Sequence, residues 1–176
     1  MRRERLLALL ALGVVFGLSV ALLLSLRRSL ERERALGRGQ VFPATVVRVL
    51  GDRFEERRVP SGRKMLLVLF RPDCPQCERE LARLEQACAQ LPEEQLECMA
   101  LSFDPEPHTY AWQQGRAFRR LKIAVSADPT FAERHGDWLL AVPLVFFITE
   151  QGVIHERYAG ERSPEYTLAR VREFVR

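Results

Sequence analysis

Cys74 and Cys77 stand three residues apart in Arg71-Pro72-Asp73-Cys74-Pro75-Gln76-Cys77, and two thiols at that spacing can close and reopen a disulfide. One helical turn separates them, so both sulfurs fall on one face. A helix N-terminus presents free N–H groups and about half a positive charge. A Cys74 placed there ionises more easily than a free thiol, and the thiolate is the nucleophile. Cys77, one turn on, can attack a mixed disulfide formed at Cys74, so the pair exchanges with other thiols. Two other chemistries use a C-x-x-C. A zinc site needs four ligands, and neither a second C-x-x-C nor an H-x-x-x-H follows. A purely structural disulfide would be unusual in so short a loop. Dithiol redox chemistry is the favoured reading, because C-x-x-C beside a strand–helix pattern is its known context.

The elements that place this pair are legible around it. Met65 to Phe70 is an unbroken apolar run ended by Pro72, which predicts a central strand covered on both faces. Leu81, Leu84, Cys88 and Leu91 share one face, which predicts a helix beginning at the cysteines. Upstream, Val41 to Leu50 reads as a strand or strand pair, and Gly51 to Arg63 as a polar segment with a turn at Pro60-Ser61-Gly62. Downstream, strands are predicted over Leu96 to Phe103, Ile123 to Ser126, Val142 to Thr149 and Val153 to Tyr158. The last two form a hairpin about Glu150-Gln151-Gly152. Asp104-Pro105-Glu106-Pro107 reads as a turn and Thr109 to Leu121 as a helix. Asp128-Pro129 and Ser163-Pro164-Glu165 each start a helix, the second with Leu168, Val171 and Val175 on its apolar side. Strands alternating with helices imply an α/β fold, a central sheet flanked by helices. The terminal hairpin makes that sheet mixed.

The N-terminus is organised differently. Arg2, Arg3 and Arg5 precede a charge-free run from Leu6 to Leu26, about 20 residues and enough to cross a bilayer as one helix. No small-x-small cleavage site and no cysteine to lipidate follow it, so a retained anchor is favoured over a cleaved signal. The predicted organisation is a transmembrane anchor over 1–27, a juxtamembrane linker over 28–40 and one domain over 41–176. Arginines flank the run on both sides, so charge does not set its orientation. Functional logic places the domain outside the cytoplasm, where disulfides persist. The net charge of +4, without basic runs interleaved with aromatics, gives no nucleic-acid signal.

From Val41 to Arg176 the sequence resembles the thioredoxin fold, and within it the membrane-anchored TlpA/ResA-like thiol–disulfide oxidoreductases, relatives of the MauD-like maturation proteins. Three stretches carry the resemblance: Leu69-Phe70-Arg71-Pro72-Asp73-Cys74-Pro75-Gln76-Cys77, Ala141-Val142-Pro143-Leu144-Val145-Phe146-Phe147-Ile148, and Phe147 to Ile154 with its Gly turn. It implies a cis peptide before Pro143, packed against the disulfide. That bend would expose the Val142 backbone as an edge for a substrate's extended chain, and Pro75 and Gln76 would meet the same substrate. It also implies that Glu80 lies near the thiols, where a partly buried carboxylate can take the Cys77 proton. Soluble thioredoxins carry a buried Asp on the preceding strand, and the matching position here is Val68. The sequence departs from the family at Asp73, which replaces the usual aromatic and opposes thiolate formation, and at Leu144, where Thr is common.

The implied activity is reduction of disulfides in extracytoplasmic clients, such as apocytochrome c before haem attachment. The expected partners are cysteine-containing client proteins, a membrane electron donor or acceptor, and the lipid bilayer through residues 6–26. The expected location is the bacterial inner membrane, single-pass, with the catalytic domain on the periplasmic side. No cofactor and no metal are implied. Two rivals remain. A copper-delivery module would use Cys74 and Cys77 as soft ligands, but the usual His is missing from Trp138 to Pro143. A peroxiredoxin-like peroxidase needs a Pro-x-x-x-Thr/Ser-x-x-Cys loop, which Phe70 to Cys74 lacks. His108 and His135 are isolated in sequence. Cys88 and Cys98 read first as small buried hydrophobes, with a second disulfide open to them outside the cytoplasm.

Overall fold

The structure is a computed structural model, and it describes residues 13, 16–26, 36–51, 54–135, 138 and 141–176. Of the predicted anchor and linker, residues 1–12, 14, 15 and 27–35 lie outside the described residues. Residues 16–26 are helical. Phe16, Leu18, Leu22 and Leu23 on that stretch are all more than 60% exposed. Among the described residues, no helix is long and apolar enough to cross a membrane. The chain divides into two units, with the boundary between Gly37 and Arg38.

The second unit holds one seven-stranded sheet. Its strands are β1 (Thr45–Val49), β2 (Glu55–Val59), β3 (Met65–Phe70), β4 (Glu97–Ser102), β5 (Leu121–Ser126), β6 (Leu144–Ile148) and β7 (Ile154–Ala159). They run in the order β2-β1-β5-β4-β3-β6-β7. β3 pairs parallel with β4 and antiparallel with β6, so the sheet is mixed. Every residue of β3 is buried, which is why its sequence is apolar without alternation.

Among the described residues, four helices flank the sheet: α1 (Pro75–Cys88), α2 (Glu106–Gln113), α3 (Pro129–His135) and α4 (Pro164–Val175). α1 and α4 pack on each other. Their Leu81, Leu84, Val171 and Phe174 close over Leu66, Val68 and Phe70 of β3 and Ala100 of β4. Strand alternation turns Met65, Leu67 and Leu69 to the other face. There, Phe131 of α3 and Phe42, Trp138 and Phe146 form an aromatic group with ring centroids 5.3 to 6.3 Å apart.

The larger differences from the sequence reading lie before β3 and after β4. β2 was not expected, because Glu55-Glu56-Arg57-Arg58-Val59 carries no apolar period. It is an edge strand, held by backbone pairing to β1 and by charge pairs such as Arg48–Glu56 at 3.5 Å. Val41 makes only an isolated bridge to Val153, and the strand proper starts at Thr45. α2 begins at Glu106, because Pro107 in a first turn forfeits no helical hydrogen bond. It stops at Gln113, followed by Gly115 at φ +79°, a left-handed turn that glycine adopts cheaply. The residues beyond are tied instead to α1. The Glu85 carboxylate accepts from the N–H groups of Arg119, Arg120 and Leu121 at 2.8 to 3.1 Å.

Candidate active site

β3 delivers the chain to the site at Phe70. Arg71 to Cys74 then forms a tight turn, in which the Cys74 N–H donates to the Arg71 carbonyl at 3.2 Å. Cys74 is extended, with φ −107° and ψ 104°, and is the N-cap of α1. Pro75 follows in the first turn, where a missing N–H costs nothing. The Cys77 N–H points back and donates to Cys74 Sγ at 3.1 Å. Sulfur thus takes the place that an Asp or Ser oxygen takes in other caps. The amide and the helix end both favour negative charge on that sulfur.

Cys74 and Cys77 are joined as a disulfide, with their Cα atoms 5.2 Å apart. Cys77 is fully buried, while Cys74 is partly exposed. Of the two, Cys74 is the one open to an incoming sulfur, and Cys77 lies behind it.

The Val142–Pro143 peptide is cis, as is Val59–Pro60. Leu144 pairs with Leu69 at the end of the β3–β6 ladder, and Val142 and Pro143 immediately precede it. Both therefore lie where the C-x-x-C turn leaves the sheet. Pro143 is buried, and its carbonyl accepts from the Gly160 N–H at 2.8 Å. Val142 and Cys74 are both part-buried against the same core cluster. Pro75 and Gln76 are exposed between the two sulfurs.

Glu80 is fully buried. Oε1 accepts from the Tyr158 hydroxyl at 2.7 Å and the Thr167 hydroxyl at 3.3 Å. Oε2 accepts from the Arg162 N–H at 3.0 Å and lies 3.5 Å from the Arg83 guanidinium. One carboxylate thus ties α1 to β7, to the following loop and to α4. Burial first, then the charge of Glu80 and the bond to it, push the Tyr158 phenol well above its ordinary range. Tyr158 faces inward on the strand alternation that predicts its hairpin. Thr167 and the Arg162 backbone carry no sequence signal of this role.

The sequence also hid what stands beside Asp73. His108, isolated in the chain, sits on α2 with Nε2 3.4 Å from Asp73 Oδ2 and Nδ1 4.0 Å from Asp104 Oδ2. Nearby, Arg116 lies 4.5 Å over the Trp112 ring and pairs with Glu78 of α1 at 2.9 Å. Trp112 in turn packs on Phe70, centroids 5.0 Å apart. Cys88 and Cys98 form a second disulfide, both buried, between the end of α1 and β4. Among the described residues, no group of three or more His, Cys, Asp and Glu is placed to hold a metal ion.

The AhpC/TSA family model matches residues 39–157, which take in the C-x-x-C helix and all of the sheet except the end of β7. The chain belongs to the AhpC/TSA family. An AhpC/TSA chain with this dithiol is a thioredoxin-like redox enzyme. No curated protein matches the sequence. Among solved structures, this AhpC/TSA chain is similar to the thioredoxin domain of a thiol-disulfide oxidoreductase from Bacteroides vulgatus, at 16% identity and a TM-score of 0.66, over 80% of this chain and 99% of that one. StoA from Bacillus subtilis matches at 15% identity and a TM-score of 0.59, over 76% and 97%. A Plasmodium vivax 2-Cys peroxiredoxin matches at 15% and 0.60, over 77% and 94%. At such identities the likeness is one of fold.

Proposed function

We propose that this protein is a membrane-anchored thiol–disulfide oxidoreductase of the TlpA/ResA-like kind, reducing disulfides in extracytoplasmic clients such as apocytochrome c. The observation that carries it is the part-exposed Cys74 Sγ at a helix N-cap, bonded to a Cys77 buried behind it. The reduced Cys74 thiolate attacks a client disulfide and expels one client sulfur as thiolate. Cys77, deprotonated with help from Glu80 one turn along α1, attacks Cys74 Sγ and releases the second. Two electrons pass to the client and the Cys74–Cys77 disulfide forms, to be reduced again by a membrane electron donor. The cis peptide at Pro143 presents Val142 as the edge on which the client chain lies, with Pro75 and Gln76 on its other side.

The membrane assignment is supported by the charge-free run 6–26 and by the exposed apolar side chains on 16–26. A place on the periplasmic side of a bacterial inner membrane is supported by the buried Cys88–Cys98 disulfide, which would persist there. The test is a Cys77→Ser variant of the full chain expressed in cells. It should accumulate a mixed disulfide between Cys74 and a client, and Cys74→Ser should accumulate none. Failure to trap any client, with one Cu(I) bound per reduced chain, would favour metal delivery instead. The family and the peroxiredoxin neighbour favour a second reading, a peroxidase. Turnover of hydrogen peroxide dependent on Cys74 would establish it.

A further inference from the structure

The charges along the active-site segment are matched, with one exception. Arg71 lies 3.7 Å from Asp104, Glu78 pairs with Arg116 at 2.9 Å, and Arg79 and Arg83 both pair with Glu161, at 2.8 and 2.7 Å. Glu80 is buried among its donors and Arg83. Asp73 is left. Its side chain is 79% exposed, and its only ionic neighbour among the described residues is His108. That histidine is shared with Asp104 and is cationic only when protonated. Among the described residues, no Lys or Arg pairs with Asp73. Asp73 also immediately precedes Cys74, the one of the pair open to an incoming sulfur.

We infer that Asp73 is a specificity-determining residue, which selects disulfides flanked by positive charge and rejects anionic ones. The inference rests on the oxidoreductase reading and names the substrate class of that site. Its physics is Coulombic. As Cys74 attacks, the groups flanking the substrate sulfur pass beside the exposed side chain of its chain neighbour Asp73. A unit charge about 6 Å away in water changes an encounter roughly threefold, in opposite directions for cation and anion. Asp73 also opposes ionisation of Cys74, but that effect is the same for every substrate and cancels in a ratio of rates. The natural substrates are therefore client segments with Lys or Arg beside the cysteine, and anionic thiol pools react poorly.

The experiment uses the full chain in neutral detergent, with Cys74–Cys77 reduced and the reductant removed. It is mixed with cystamine (cationic), dithiodiglycolate (anionic) or hydroxyethyl disulfide (neutral). Closure of Cys74–Cys77 is followed by thiol alkylation and mass. The wild type should favour cystamine over dithiodiglycolate, and the preference should collapse near ~1 M salt. Asp73→Asn should lower the cationic-to-anionic rate ratio about tenfold, two threefold effects of opposite sign. Asp73→Ser should do the same, which separates charge from any local fault of the Asn variant. An unchanged ratio in both variants, with the neutral disulfide still reduced, overturns the inference alone. Failure of the wild type to react with the neutral disulfide sinks the oxidoreductase reading and this inference with it.

Discussion

The Cys74 sulfur is the focus of three local effects: the Cys77 amide at 3.1 Å, the start of α1, and the unmatched Asp73. The first two favour the thiolate and the third opposes it. One turn on, Glu80 joins three elements, and mutation can separate that task from the proposed proton transfer with Cys77. As the proton acceptor for Cys77, its replacement in Glu80→Gln should slow release of the mixed disulfide by about a hundredfold and change the pH profile of that step. A Glu80 that serves only to join α1 to β7 and α4 would lower the denaturation midpoint and leave the profile unmoved. Tyr158 gives a pH signature of its own. Its folded pKa is raised above the unfolded value of about 10, so its contribution is complete below that pH. It is lost as the pH climbs toward the folded value. Tyr158→Phe should flatten the alkaline fall in stability, measured by urea unfolding at pH 9 and pH 11. The cysteine pair was legible because its spacing is itself the chemistry. The neighbours of Glu80 and Asp73 were not, because Tyr158, Thr167 and His108 approach only when distant parts of the chain fold together.

β3 and α1 were readable from local pattern, since burial on both faces and burial on one face leave different periods. β2 was not. Its residues are chosen for an exposed edge, and its pairing with β1 supplies the order that apolar periodicity supplies elsewhere. α1 is held at both ends: at its start by the Cys74 turn, and at its end by Cys88–Cys98, whose Cα atoms are 6.7 Å apart. The sequence left that pair open between buried thiols and a bond. About eleven helical residues, roughly 16 Å of rise, separate Cys77 from Cys88, and both sulfurs of the second pair are buried. The second disulfide is thus out of reach of the exchanging one. The double variant Cys88→Ala, Cys98→Ala should lose about 2–3 kcal/mol in chemical denaturation, the effect of opening a short loop, and should keep Cys74–Cys77 exchange. Loss of exchange with unchanged stability would contradict this division between a fixed and a working disulfide.

The sheet and its helices make a redox domain, and the proposed anchor before it would hold that domain at a membrane. A retained anchor predicts that the full chain stays in the membrane fraction after carbonate extraction, and that a version lacking residues 1–27 appears in the soluble fraction. Release of the intact chain by carbonate would remove the anchor from the account. A redox titration decides whether Cys74 and Cys77 form a reversible dithiol. The full chain in detergent is equilibrated in graded dithiothreitol buffers, and each pair is read by alkylation and mass. The expected result is a two-electron transition of Cys74–Cys77 near or below ~−250 mV, the range of reductants of this fold, with Cys88–Cys98 still closed at that point. Absence of a reversible Cys74–Cys77 transition would contradict it.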